Sequence, residues 1–400
     1  MKAGWEYRAL GDVCDIIGGG TPAKDNDLFY LQGTIPWATV RDMKSDVITN
    51  TEFKITTEAV ESSSTNIIPE GNIVIATRVG LGKVCLLAKD TAINQDLKGV
   101  IPKDPLKLLV GYLFQWFKNN AQIIIDEGTG ATVQGVKLPF IKSLIIPIPP
   151  MKEQQRIVSI IDEAFDGIAT AKANAEKNLQ NARALFESHL QAVFSQWGEG
   201  WVDTTLGEVC QFENGDRGPN YPNRAEYVET GIPWINTGHI QPDGTLSESE
   251  MNFITKEKFN TLRSGKIRPG DLVYCLRGAT LGKTALVDPL TVGAVASSLV
   301  IIRPGNLLES RFLYYFLTSP HGQGLIKLYD NGAAQPNLGA KSVAKYIISL
   351  PKLTEQKLVV QQLDALRTET QRLESIYQQK LTALDELKKS LLDQAFRGEL

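Results

Sequence analysis

Pro149-Pro150-Met151-Lys152-Glu153-Gln154-Gln155-Arg156-Ile157-Val158 opens one long polar stretch, and Pro351-Lys352-Leu353-Thr354-Glu355-Gln356-Lys357-Leu358-Val359 opens another. Proline cannot continue a helix from its N-terminal side, but it suits the first turn, whose N–H groups have no intrahelical partner. Downstream of the first opening, Ile157, Ile161, Ala164, Ile168, Ala171 and Ala175 step by 4, 3, 4, 3, 4. A second step of four leads to Leu179, and the pattern resumes at Ala182 and Phe186. Val359, Leu363, Leu366, Thr370, Leu373 and Tyr377 step identically, shift to Leu381 and resume at Leu384. This is a heptad seam with one stutter at the same place in both stretches. Two unrelated surface helices would not share a stutter, so the two long helices are expected to pair with each other.

Outward from the helices, the whole chain is a duplication. Trp5…Leu10-Gly11-Asp12-Val13-Cys14 returns as Trp201…Leu206-Gly207-Glu208-Val209-Cys210. Ile35-Pro36-Trp37 returns as Ile232-Pro233-Trp234, Arg78 as Arg277, and Leu81-Gly82-Lys83 as Leu281-Gly282-Lys283. The offset creeps from 196 to 202 without any match leaving its order, as small loop insertions would produce. Each copy begins with a mixed α/β part. Short β-rich runs such as Ile73-Val74-Ile75 and Leu272-Val273-Tyr274 lie between glycine and proline breaks, and 106–119 and 307–319 read as helices. The expected fold class is therefore α/β (α+β), with globular domains over 1–150 and 198–351 and long helices over 151–197 and 352–400. Two like units most simply pair about a two-fold axis. That makes the helices an antiparallel coiled coil with pseudo-two-fold symmetry and brings Leu400 close to Met1.

Composition narrows the function. The chain is 42% hydrophobic and 22% charged, with a net charge of −3. Residues 1–150 carry 15 Lys and Arg against 16 Asp and Glu, and 198–351 carry 14 against 15. Any affinity for nucleic acid must come from local placement of charge. No apolar run is long enough to cross a bilayer, and the N-terminus lacks the apolar run of a secretory signal, so a cytoplasmic protein is expected. Cys14, Cys85, Cys210 and Cys275 form no CxxC pair and lie far in sequence from His189, His239 and His321. Buried thiols are expected, with no metal site.

Catalytic motifs fail on inspection. Gly278-Ala279-Thr280-Leu281-Gly282-Lys283-Thr284 is one residue short of a phosphate loop, and the first copy places Val84 where a magnesium-binding hydroxyl belongs. A glycine turn between strands with a basic residue at its edge is the better account. No [DNS]PP[YFW] tetrad for methyl transfer to adenine is present. Gly18-Gly19-Gly20 has no counterpart in the second copy, and Glu52-Phe53-Lys54 faces Asn252-Phe253-Ile254, which has no carboxylate. No catalytic residue is assigned, and the chain reads as a binder.

The Pro-Pro-x-x-Glu-Gln openings, the Ile-Pro-Trp pairs, the Gly-Lys turns and the tail Leu391-Leu392-Asp393-Gln394-Ala395-Phe396-Arg397-Gly398-Glu399-Leu400 resemble the specificity (S) subunit of type I restriction–modification enzymes over essentially all 400 residues. Asn214-Gly215-Asp216-Arg217-Gly218-Pro219-Asn220-Tyr221-Pro222 is similar to one recurrent type of target recognition domain. The resemblance implies two target recognition domains, each reading half of a split double-stranded DNA site, on a helical spacer. It implies as partners two adenine-N6 methyltransferase (M) subunits and restriction/translocase (R) subunits. S-adenosylmethionine, ATP and magnesium belong to those partners, and the S subunit performs no chemistry. Pro351-Lys352 departs from the Pro149-Pro150 of the first copy.

Arg and Lys suit guanine and phosphate, whereas Asn and Gln suit adenine. In the second copy Arg263, Lys266, Arg268, Arg277 and Lys283 fall within 21 residues that contain one acid, Asp271, while Arg217 and Arg224 lie in a glycine- and proline-rich loop. The first copy offers Lys24, Arg41, Arg78 and Lys83. Gln134, Gln335 and Asn337 sit in glycine-rich loops before the final strands and could read bases or satisfy loop backbone. Glu153, Gln154, Glu355 and Gln356 could contact a partner or cap the helices. Two other readings stay open on the residues alone: a scaffold whose domains bind protein or glycan, and a fused methyltransferase.

Overall fold

The computed structural model describes residues 4–129, 135–195, 198, 200–329 and 338–400. It divides into two compact units, Met1–Ala175 with Gln379–Leu400, and Glu176–Gln378. The long helices are Met151–Ser195 and Leu353–Arg397, each 45 residues. Each unit thus holds one globular part, a portion of the helix that leaves it, and a portion of the other long helix.

In the first unit, one sheet runs in the order Cys14–Gly18, Leu97–Pro102, Ile73–Ala76, Val84–Leu87, Val47–Ile48. A second sheet runs Phe53–Ile55, Ile35–Ala38, Thr91–Ile93, Asn66–Ile68. Ile73–Ala76 is buried at every residue because both its faces are covered. Ile73 and Ile75 point into a core with Tyr112, Leu113, Trp116 and Phe117 of the helix Val110–Asn119. Val74 and Ala76 point to the other side, among Ala38, Ile68 and Leu97. The alternation is the period-2 geometry of a strand, and it explains why the run reads as continuously apolar.

The second unit repeats this plan. Its sheets run Cys210–Asn214, Leu299–Pro304, Leu272–Cys275, Thr284–Leu286, and Tyr227–Val228, Asn252–Ile254, Ile232–Ile235, Ala294–Val295. Trp37 pairs in parallel with Ala92 in one unit, as Trp234 does with Ala294 in the other. Leu272 and Tyr274 face the helix Ser310–Thr318, and Val273 and Cys275 face Ile235 and Ile301. Differences fall at sheet edges: Val47–Ile48 extends the first unit's first sheet, and the fourth strand of the second sheet adds on opposite sides in the two units.

A two-stranded sheet closes each unit beside its long helix, Glu6–Ala9 with Ile145–Ile148 and Val202–Thr205 with Ile347–Leu350. All seam positions from Ile157 to Phe186 and from Val359 to Leu384 are buried or half-buried. Within the first unit, Arg156 donates to the Leu400 carbonyl (2.8 Å), the Lys388 ammonium lies over the Phe165 ring (4.4 Å), and Lys172 pairs with Asp385 (2.7 Å). As one helix advances the other recedes, so these segments run antiparallel. Trp5 and Leu400 pack on the same core, whereas Met1 lies outside the described residues. Among the described residues no helix is long and apolar enough to cross a membrane.

Candidate nucleic-acid interface

The turn between Leu272–Cys275 and Thr284–Leu286 is closed by Gly282 N–H to Cys275 O (2.9 Å) and Cys275 N–H to Lys283 O (2.8 Å). Gly278 and Gly282 have φ of +76° and +85°, a region that disfavours any side chain. The first unit makes the same strand–turn–strand, with Gly80 and Gly82 at +77° and +82°. A Cβ on Gly82 would lie 2.9 Å from Ile125 Cδ1, and one on Gly282 would press into Ile326. The glycines therefore let a turn approach a helix, and the phosphate-loop likeness dissolves into a structural turn that leaves its basic residues outward.

Arg277 and Lys283 are exposed on this turn. Arg217 is exposed and donates to Ser297 O (3.4 Å), and it lines a recess with Arg277. Arg224 is exposed at the start of the short 3-10 turn Arg224–Glu226, which Asn223 caps. Arg263 and Arg268 are exposed, with their N–H groups bound by Asp216 and Asp271 (2.8 Å each). Lys266 is half-buried with its ammonium over the Phe259 ring (4.8 Å). The basic run is thus split into outward cations and a cross-braced base. Its base is Arg303, absent from the sequence reading. It bridges Asp271 (2.7 Å) and Glu213 (3.2 Å) and donates to Lys266 O. The N–H groups of Arg263 and Gly218 hold the buried Asp216 carboxyl below the usual carboxylate range.

In the first unit Arg78 is exposed, 3.6 Å from Asp96. Lys83 is exposed with Nζ 3.5 Å from Met43 O, Arg41 lies 3.8 Å from Glu52, and Lys24 is exposed. Gln134, Gln335 and Asn337 lie outside the described residues.

Gln154 and Gln356 need correction as surface contacts, because both are fully buried. Gln154 accepts from Leu109 N–H (2.8 Å) and donates to the carbonyls of Lys107 (2.7 Å) and Pro149 (2.9 Å). Gln356 accepts from Glu309 N–H (2.8 Å) and donates to Leu307 and Pro351 (2.8 and 3.0 Å). The duplicated glutamine is a clamp between the long helix and its own domain, satisfying backbone groups that burial would otherwise strand. Glu153 pairs with Arg156 (2.7 Å), and the exposed Glu355 accepts from Trp201 Nε1 (2.9 Å).

Burial pushes the Cys14 and Cys210 thiols up to about 12 and Cys85 up to about 11, so none is a thiolate at neutral pH. Among the described residues no group of three or more His, Cys, Asp or Glu is placed to hold a metal.

Known proteins share the sequence pattern and the fold of this chain. The family described as "Type I restriction modification DNA specificity domain" matches residues 2–180 and again 198–383. A specificity subunit of the type I restriction enzyme MjaIX from Methanocaldococcus jannaschii is 26% identical over 99% of this chain and 93% of its own. The HsdS subunit of Thermoanaerobacter tengcongensis shares the fold, with a TM-score of 0.69 at 20% identity over 100% of this chain and 98% of that one. A chain from a study of complex assembly and conformational transition of the type I R-M system superposes with a TM-score of 0.78 at 21% identity, covering 100% of this chain and 99% of that chain.

Proposed function

Because this chain belongs to the type I restriction–modification DNA specificity family and is a non-catalytic specificity subunit, we propose that its two domains, over 1–150 and 198–351, read the two halves of one asymmetric, bipartite DNA site. One observation carries the proposal. The two units repeat the central strand order, glycine turn and glutamine clamp, yet differ in the side chains they present beside that turn: Thr21 and Asp96 in one, Arg217 and Ser298 in the other. A repeated frame with divergent rims suits two readers of different sequences. The long helices form the coiled-coil spacer that holds the half-sites apart. Lys24, Arg41, Arg78 and Lys83 in the first domain, and Arg217, Arg224, Arg263, Lys266, Arg268, Arg277 and Lys283 in the second, are the candidate DNA contacts, with Gln134, Gln335 and Asn337 as base readers. Glu153 and Glu355 are the partner-facing candidates at the helix starts.

In this reading the chain works in the cytoplasm, positioning two adenine-N6 methyltransferase subunits and the restriction subunits. S-adenosylmethionine, ATP and magnesium are used by those partners. Methylome sequencing of a host expressing this chain with its methyltransferase tests the proposal. The expected result is one asymmetric motif of two short specified blocks separated by a fixed unspecified gap. A contiguous motif, or no new methylation, would refute it.

A further inference from the structure

The recess shared by Arg217 and Arg277 in the second unit goes beyond a list of exposed cations. It is about 420 Å³, lined by Asn214, Arg217, Arg277 and Lys341 together with the buried Leu276 and Leu338, and no carboxylate lines it among the described residues. Three separate chain segments deliver the three cations, and each segment is pinned. Asp216 accepts the N–H groups of Gly218 and Arg263 (2.8 Å each), fixing the loop that carries Arg217. A Cβ on the preceding Gly215 would lie 2.5 Å from the carbonyl oxygens of Val295 and Ala296, so this loop packs directly on the sheet. Arg277 heads the short turn Gly278–Thr280 in extended conformation. Lys341 follows Leu338, whose N–H bonds to Leu276 O (3.0 Å). None of the three cations makes an ion pair among the described residues. Like charges held together on rigid backbone repel one another, a cost that a bound anion removes.

The first unit has the same frame but different groups. Thr21 replaces Arg217, Pro139 replaces Lys341, and Asp96 replaces Ser298. Asp96 lies 3.6 Å from Arg78, and the Thr21 hydroxyl bonds to the Gln95 side chain. Lys98 spends its half-buried ammonium on the carbonyls of Gln95 and Leu97 (3.1 and 3.2 Å), and Lys137, two residues before Pro139, is exposed. That rim mixes donors and acceptors.

We propose that the Asn214–Arg217–Arg277–Lys341 recess is a seat for a DNA backbone phosphate, present in the second unit and lacking in the first, so that the two domains grip the duplex unequally. Guanidinium forks suit phosphate oxygens, and the Asn214 amide adds a neutral donor. The inference rests on the DNA-reading function above. A phosphate seat anchors without reading sequence, so discrimination in this domain falls to other residues.

Salt titrations of duplex binding by the full-length chain test it. One duplex carries the motif found by methylation, and the other is scrambled. Arg217→Gln, Arg277→Gln and Lys341→Gln are each expected to lower the log–log salt slope, and all three together by about one, on both duplexes alike. Arg78→Gln should change the slope by clearly less, and Arg277→Lys should keep it, which separates lost charge from lost fold. Unchanged slopes in the three variants, or weakening confined to the motif duplex, would overturn the seat while leaving the DNA-reading function standing. A wild-type chain that binds neither duplex would overturn the seat, whereas the DNA-reading function falls if methylation yields no motif from which to build the first duplex.

Discussion

Gln154 and Gln356 show how one residue type can be retained for a reason its neighbourhood hides. Each amide makes three hydrogen bonds to backbone groups of its own domain while fully buried. Leucine would fit the volume but strand an N–H and leave carbonyls undersatisfied. Gln154→Leu and Gln356→Leu are each expected to cost about 2–4 kcal/mol, measured by denaturant unfolding; a loss below about 0.5 kcal/mol would show that the clamp does little. His239 offers a pH handle in the second unit. Burial lowers its pKa, its Nδ1 accepts from Asn236 N–H (3.1 Å), and Glu250 partly offsets the burial. A histidine whose folded pKa is depressed contributes stability that is full above its unfolded value, about 6.5, and is lost as pH falls. Acidification from pH 7 to 5 should therefore destabilise this unit, with a slope of at most about 1.4 kcal/mol per pH unit from this proton. His239→Gln should flatten the melting temperature over that window; an equally steep profile in the variant would assign the effect elsewhere.

Among the elements, the glycine turns separate what sequence can say from what it cannot. The matched Leu-Gly-Lys triplets announce a repeated turn, and the paired strands confirm it. The reason for glycine lies in Ile125 and Ile326, each more than forty residues downstream and invisible to local pattern. Gly282→Ala should cost about 1–3 kcal/mol, from positive φ and from overpacking against Ile326. Adding Ile326→Val, which deletes the offending methyl, should recover the packing share but not the backbone share. A double variant no better than the single one would mean that the cost is conformational alone. The helix seam was legible for the opposite reason. Its signal is a periodicity spread over many residues, so Ile157 to Phe186 and Val359 to Leu384 all turn inward. The Arg303 brace was not legible, since its partners Asp271 and Glu213 lie 32 and 90 positions away. Counting five cations and one acid along the chain missed that the acid was already committed.

For the whole molecule, the decisive detail is where each long helix ends. In the first unit Phe396, with Leu392 and Ala395, is buried in the core against Tyr112, at a centroid distance of 5.1 Å. In the second unit Phe194, with Leu190, is buried against Phe312 at 5.2 Å. Tyr112 and Phe312 occupy matching places in their domains, so each core is completed by the far end of the helix that starts from the other domain. A fragment covering 1–196 keeps the first domain and the first helix but loses Leu392, Ala395 and Phe396. Deleting one buried phenylalanine alone costs about 3–5 kcal/mol, so an isolated monomer should be barely stable and expose the seam as an apolar stripe. The fragment nevertheless carries its own plug. Phe194 of one copy can enter the Tyr112 core of another, and reciprocally, because both seams share the same stepping and stutter. The fragment should form an antiparallel homodimer, weaker than the intact pairing because its seam is alanine-rich. With the methyltransferase, it should modify a palindrome built from one half of the parent motif. Sedimentation should show a dimer for the fragment and its loss in Phe194→Ala. A fragment that stays monomeric yet unfolds cooperatively would contradict this account, as would methylation of the intact asymmetric motif.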